Sequence, residues 1–413
     1  MSTLDSPGPM PTATTPTPTT TEHASVRRSR VIIAGGGVAA LEALLALRSL
    51  AGQMIDVDLL CPGETFIYRP MLVAEAFTTG RMRSLELARI AADLGATLIP
   101  DTLTTVDPAT RRVTTASGAR HAYDALMVAI GARRTEWLPG GLTFRDLDDA
   151  RRLAQLLDEL QSGQARRLAF AAPPGTTWTL PLYELALLTA ARVGELRLAD
   201  VSLTVVTPEP GPLSAFGAAA GKTVHELLVQ RGVRLQTEAH AITYQGGRLY
   251  IAARDPLPAD AAITLPRVQG LFVPGLPHDP DGFLPVDDFG RVQGVDGVYA
   301  AGDGTAFPIK QGGLAAQQAD AAAEAILAGF GAPIEPHPFR PILRGLLLTG
   351  VSPAFLRADA PLADEPKSQA AFEPLWSPTS KVAGRFLAPY LAERGGAWHE
   401  RELADLRVGP PSA

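Results

Sequence analysis

Short apolar runs alternate along this chain with longer stretches in which apolar and polar positions recur at helical spacing. "RVIIAG", from Arg30, predicts a short buried strand; "VAALEALLALRSLAG" predicts a helix ended by Gly52; "IDVDLL" predicts the next strand. Strand, helix and strand in that order make a βαβ unit, which requires a parallel sheet and a right-handed crossover. "YDALMVAIGAR", Tyr123 to Arg133, adds an apolar strand closed by Gly131. A second such pattern follows. "DLDDARRLAQLLDELQSG" reads as helix, "RRLAFAA" as strand, "LPLYELALLTAARV" as helix, "VSLTVVT" as strand, and "GKTVHELLVQRGVRLQ" as a helix running into a strand. After Leu271, "GVYAAGDGTAFPIKQGGLAAQQADAAAEAILAG" gives a strand, a long loop and an alanine-rich helix, and from about Gly331 the chain is punctuated by prolines. The fold class is α/β, with two Rossmann-like doubly wound units in sequence and a C-terminal cap segment.

Composition narrows the picture without changing it. The 413 residues leave room for two or three domains, and 46% hydrophobic with 19% charged residues is ordinary globular usage. The formal charge of −6, with "RRSR" at 27–30 as the one basic run, excludes a nucleic-acid footprint. Thirteen of the first 21 residues are Thr or Pro, so residues 1–29 are expected to form a disordered tail without the pattern of a signal peptide. No run reaches 18 uninterrupted apolar residues, so no membrane span is expected and a cytoplasmic protein is. Seven histidines are scattered without paired spacing, which argues against a metal site.

The chemistry starts at the first strand–helix turn. Gly35, Gly37 and Ala40 fill the pattern G-x-G-x-x-G/A in "AGGGVAA", with Gly36, Val38 and Ala39 between them. The first glycine permits the tight turn, the second lets backbone approach a pyrophosphate, and the small third residue lets helix and strand pack closely. The helix N-terminus adds unpaired N–H groups and partial positive charge. An acid that would bind a ribose hydroxyl is expected at the end of the next strand. Cys61 sits there instead, read as a small buried residue, and Glu64 follows in "CPGET" as either the ribose partner or a solvated loop residue.

"GVYAAGDGTAFPIKQGG" resembles the second flavin-binding motif of the two-dinucleotide-binding-domain flavoproteins, and "YDALMVAIGAR" resembles their intermediate strand motif. "FIYRPML" and "FPIKQGGLAAQQADAAAEAI" are most similar to sulfide:quinone oxidoreductases, with type II NADH:quinone dehydrogenases close behind. The resemblance implies an FAD domain split into residues 30–143 and 271–330, an NAD-like domain inserted at 144–270, and a C-terminal segment over 331–413. It implies that Gly35 to Ala40, with Cys61 and Glu64 beyond, serve the adenosine and pyrophosphate half of FAD. Arg69, Pro70, Ala129 and Gly131 line the cofactor, Gly302 and Asp303 meet the ribityl chain, and Lys310, Gln311, Gly312 and Gly313 lie at the pyrimidine edge. Lys310 is the candidate catalytic residue there: with the following helix N-terminus, it would stabilise the negative charge that gathers on the reduced flavin.

The chain also departs from its relatives. Where the second unit would need a glycine-rich turn for NAD(P)H it reads "FAAPPGTTWTLPLYE", with Gly175 alone, Pro173 and Pro174 lacking N–H groups, and bulky Trp178. Thr207 stands where the ribose acid is expected, with Glu209 two residues on, so ordinary nicotinamide binding is not expected. A single cysteine cannot form the redox pair on which the sulfide enzymes rely. The expectation is an FAD-dependent oxidoreductase passing electrons from a small-molecule donor to a quinone or similar acceptor. Two alternatives stand beside it: an NAD(P)H-dependent enzyme of the NADH dehydrogenase type, and a flavin-binding protein with an assembly or sensing role. "SKVAGRFLAPYLAERGG", mixing Phe386, Leu387, Tyr390 and Leu391 with Lys381, Arg385 and Arg394, is expected to pack on the flavin domain or a second subunit. Its alternative is peripheral contact with the inner face of the membrane.

Overall fold

A computed structural model describes residues 27–77, 84–363 and 365–395. β1 (Ser29–Ala34) leads through α1 (Val38–Ala51) to β2 (Ile55–Leu60), followed by β3 (Thr97–Ile99) and β4 (Ala125–Val128). β1 pairs in parallel with β2 on one side (Val31 opposite Val57) and with β4 on the other (Ile33 opposite Met127). Both faces of this sheet are covered, which is why its central strands β1 and β4 carry the apolar runs VIIA and ALMV. Val31 and Ile33 join the core under the helices, whereas Ile32 and Ala34 pack with Val106, Val113 and Tyr123 beneath an antiparallel meander. The expected tail, residues 1–26 of it, lies outside the described residues.

The second unit runs β5 (Leu142–Thr143), α2 (Leu147–Ser162), β6 (Arg167–Ala171), α3 (Leu180–Glu195), β7 (Ser202–Val206), α4 (Gly217–Gln230), β8 (Val233–Gln236) and β9 (Ala261–Thr264). Its sheet has the order β5-β9-β6-β7-β8, all parallel. α2 starts as its sequence dictates: the Asp146 carboxylate accepts from the N–H groups of Asp148 and Asp149, and Gly163 closes the helix with φ +79°. An antiparallel pair, Arg133–Thr135 with Arg267–Gln269, carries the chain out of the first unit and back. β10 (Val298–Ala300) then adds to β4 in parallel, giving the first sheet the order β10-β4-β1-β2-β3, and α5 (Gly312–Gly329) packs along α1. The first domain is split around the second.

The proline-punctuated remainder forms more structure than its sequence announced. β11 (Ile342–Leu347), β12 (Ala354–Asp359) and β13 (Lys367–Ala371) make an antiparallel sheet. One face lies on the second domain so closely that a Cβ at Gly345 would stand 2.6 Å from Leu180 Cδ1 and Phe216 Cζ. The chain then returns to the first domain and ends in α6 (Leu387–Gly395). Glu42 of α1, fully buried, accepts from the N–H groups of Phe386 (2.7 Å) and Leu387 (2.8 Å), an anion at a helix N-terminus. Leu387, Tyr390 and Leu391 are buried, Phe386 is half-buried, and Arg385 pairs with Glu324. The apolar residues that a membrane or subunit contact would use are thus packed inside the chain. Lys381, the first basic residue of "SKVAGRFLAPYLAERGG", pairs with Glu184 of α3 at 2.6 Å, both side chains buried. The side chain of Arg394 lies outside the described residues.

Candidate functional site

Three consecutive glycines do three different jobs. Gly35 has φ +133°, and a Cβ there would lie 2.1 Å from the Ala129 carbonyl oxygen; only glycine fits. A Cβ on Gly36 would meet Cys61 Sγ at 2.5 Å, so the cysteine, buried, fills the space behind the turn. Gly37 is the opposite case. It has ordinary extended dihedrals (φ −95°, ψ −166°) and no heavy atom within 4 Å of its missing Cβ. It begins α1, whose N-terminus has neither a side-chain cap nor an acid in its first turn. Open space and uncapped N–H groups at one spot are what a phosphate anion needs.

The second flavin-type segment converges on this turn. A Cβ on Gly302 (φ +84°) would come 3.1 Å from Ala39 Cβ and 3.4 Å from Ala315 Cβ, so the loop after β10 threads between the first turns of α1 and α5. Gln318 holds that loop, accepting from the Gly302 N–H at 2.8 Å and reaching Thr305 Oγ1 at 3.3 Å. A Cβ at Gly304 would lie 3.0 Å from the Gly131 carbonyl, which places the intermediate strand's exit alongside. Gly312, first residue of α5, sits against Val38 and Val382, whose Cγ2 atoms would lie 3.8 and 3.0 Å from a Cβ there. Val38, Ala39, Ala129, Gly131, Gly302 and Gly312 therefore gather around the glycine turn.

The charged residues gather too. Asp303 and Arg134 approach at 4.0 Å, and Arg69, in the short helical turn it opens with Pro70, lies within electrostatic reach of both. Lys310 faces inward, its ammonium donating to the Thr305 carbonyl and standing 3.7 Å from the centre of the Phe283 ring. Burial lowers its pKa to about 8, against the raising influence of Asp303 and Asp279. Gln311 spends its side chain on structure: its carbonyl oxygen caps α5 by accepting from the Leu314 N–H, and its amide donates to the Arg344 carbonyl. Glu64 is exposed, and its carboxylate has no partner among the described residues. Sequence reasoning missed Arg134, which carries no motif, and Gln318 and Val382, whose roles exist only in three dimensions.

The second unit's turn is built differently. α3 begins at Thr179 with Pro181 in its first turn, and Trp178 packs on Phe216 at a ring separation of 5.9 Å. The Glu209 carboxylate is occupied by its own chain, accepting from Thr179 Oγ1 (3.1 Å), Tyr183 Oη (2.9 Å), Thr207 Oγ1 (2.8 Å) and the Ser214 N–H (3.1 Å). Thr177 Oγ1 donates to the Pro308 carbonyl at 2.7 Å, tying this turn to the loop before Lys310. Glu209, two residues beyond the expected ribose acid, thus has no carboxylate oxygen left without a donor from its own chain. Among the described residues no cluster of three or more His, Cys, Asp or Glu side chains could hold a metal, and no helix is long and apolar enough to cross a membrane.

Residues 29–171 and 183–325 match the pyridine nucleotide-disulphide oxidoreductase family. The chain belongs to that family. The residues between the two matches, 172–182, are the turn in which the glycine pattern is lost. Across 303 residues this oxidoreductase chain is 29% identical to an NADH dehydrogenase-like protein of Mycobacterium tuberculosis, covering 67% of this chain and 72% of that one. It is 26% identical over 351 residues to the demethylphylloquinone reductase NdbB of Synechocystis, covering 76% and 83%. The sulfide:quinone oxidoreductase of Aquifex aeolicus shares its fold with a TM-score of 0.77 at 19% identity, over 92% of this chain and 93% of that one.

Proposed function

We propose that this chain is an FAD-dependent oxidoreductase that delivers electrons to a quinone without a redox-active cysteine pair. The observation that carries this reading is the meeting of two helix N-termini, α1 at Gly37 and α5 at Gly312, with open space at the first. FAD, when bound, would accept and release an electron pair. The uncapped turn at Gly37 to Ala40 would hold the pyrophosphate, and Asp303, steadied by Arg134, would bond the ribityl hydroxyls. The start of α5 and Lys310 would supply positive potential at the pyrimidine edge.

Reduction of a quinone to its hydroquinone consumes two electrons and two protons. Val382 touches the start of α5, and the next residue back, Lys381, forms the buried ion pair with Glu184. That buried pair would hold a proton near the start of α5, out of contact with bulk water. Cys61, packed behind Gly36, stands outside this chemistry. The second reading keeps NAD(P)H as donor and is favoured by the NADH dehydrogenase-like relative. Against it stand the three prolines 173, 174 and 181 and the four donors that occupy Glu209.

Anaerobic mixing of the purified yellow protein with NADH, NADPH or sulfide, following loss of flavin absorption, separates these readings. The account expects no fast bleaching by the nicotinamides. Complete bleaching by NADH within seconds would establish the second reading, and colourless folded protein that takes up no FAD would end both.

A further inference from the structure

β11 and β12 set two arginines directly opposite each other, Arg344 against Arg357. They lie on the face turned away from the second domain, because Leu343 and Gly345, the neighbours of Arg344, face it. Like charges at facing positions of an antiparallel pair are destabilising. One of the two is answered: Asp359 accepts from Arg357 Nε (2.9 Å) and Nη2 (3.4 Å). Arg344 is not. Its guanidinium has no hydrogen-bond or ion-pair partner among the described residues, and its Nε is buried without an acceptor. Burial and Arg357 push its pKa below the ordinary arginine value, with Asp359 opposing them in part, yet arginine stays protonated in proteins. A buried donor left without an acceptor is costly and rare.

The position matters as much as the charge. The Arg344 carbonyl accepts from Gln311 Nε2 at 3.2 Å, and Gln311 is the cap of α5, whose first residue touches Val382. The backbone that carries this guanidinium is therefore tied to the helix start assigned above to the flavin's edge.

We propose that Arg344, with Arg357 at its side, is a subsite for an oxyanion (carboxylate, sulfonate or phosphate) carried by a small molecule that reacts at the flavin. The planar fork of a guanidinium matches two oxygens of such a group, and one further negative charge beside Asp359 balances the two arginines. Assignment to the reacting molecule rests on the quinone-reductase reading; the anion site itself does not.

Two measurements on the holoprotein test the two parts separately. In thermal unfolding without oxyanion, Arg344→Met is at least as stable as wild type, because it removes an unpaired charge. Inorganic phosphate, against sodium chloride of equal ionic strength, raises the Tm of wild type and not of the variant. A variant destabilised without phosphate, or protected by phosphate as wild type is, overturns the subsite. In the second measurement dithionite supplies the electrons and reoxidation by a naphthoquinone sulfonate is compared with reoxidation by menadione. Arg344→Met raises KM for the sulfonate about tenfold and leaves menadione unchanged. Equal effects on both acceptors overturn the assignment to the reacting molecule. If neither acceptor reoxidises wild-type flavin, the quinone reading fails and the thermal measurement still decides the anion site.

Discussion

Gly37→Val separates the fold from its ligand because the structure leaves that position empty. The backbone there has φ −95° and ψ −166°, a conformation valine prefers, and no heavy atom lies within 4 Å of the new Cβ. Stiffening the unfolded chain should add about 0.4–1 kcal/mol of stability. Replacing a glycine N-cap by an apolar residue should remove roughly the same amount. The apoprotein should therefore melt within about 4 °C of wild type, since about 1 kcal/mol moves Tm by roughly 2–4 °C in a domain of this size. Bound pyrophosphate would have to share its space with an isopropyl group. Overpacking costs about 1–3 kcal/mol, so the Kd for FAD should rise roughly 5- to 150-fold. The assay is a thermal scan of apoprotein followed by FAD titration read by flavin fluorescence. Gly35→Ala is the contrasting variant: φ +133° and a Cβ 2.1 Å from the Ala129 oxygen should destabilise the apoprotein itself. Wild-type FAD affinity in Gly37→Val would refute the placement of the pyrophosphate.

Three further outcomes follow from the same geometry. Lys310→Met lowers the flavin midpoint potential by about 20–45 mV, from about 1–2 kcal/mol of lost charge stabilisation. With the amine at a pKa of about 8 the difference shrinks as pH rises beyond that value, and Lys222→Met on exposed α4 is the control in spectroelectrochemical titration. Cys61→Ser keeps most of the turnover rate; a loss beyond about a hundredfold, roughly 2.7 kcal/mol of barrier, with FAD still bound would implicate the thiol. Asp320 is pushed up to about 9 by burial and by Glu42, so the native state holds a proton that the unfolded chain has released, and stability falls as pH rises from about 4 to 9. Asp320→Asn should match wild type in denaturant melts near pH 4 and exceed it increasingly toward pH 9; a difference independent of pH would exclude that proton.

The βαβ unit at Arg30 was legible because a parallel strand covered on both faces carries an apolar run, VIIA in β1, and because each glycine of the turn has a separate physical reason. The gathering of Gly302, Gly312 and Ala129 around that turn followed from the resemblance rather than from any local pattern. The C-terminal sheet was not legible. Its strands, such as "ILRGLL" and "AFLRAD", alternate too weakly between prolines, and Gly345 earns its place only by the approach of Leu180 and Phe216. The pairing of Lys381 was not legible, since its partner, Glu184, is 197 positions away. The altered second turn was half visible: prolines stand in it, but the cage around Glu209 assembles the hydroxyls of Thr179, Tyr183 and Thr207 and the backbone N–H of Ser214.

The proposed reaction passes electrons from bound FAD to a quinone without thiol chemistry. Its most direct test is anaerobic stopped-flow reoxidation of the dithionite-reduced Cys61→Ser holoprotein by menadione, following the return of flavin absorption. Full reoxidation in a single turnover is expected, faster with rising menadione concentration and matching wild type. Reduced flavin that persists in menadione and reoxidises only on admission of air would contradict it.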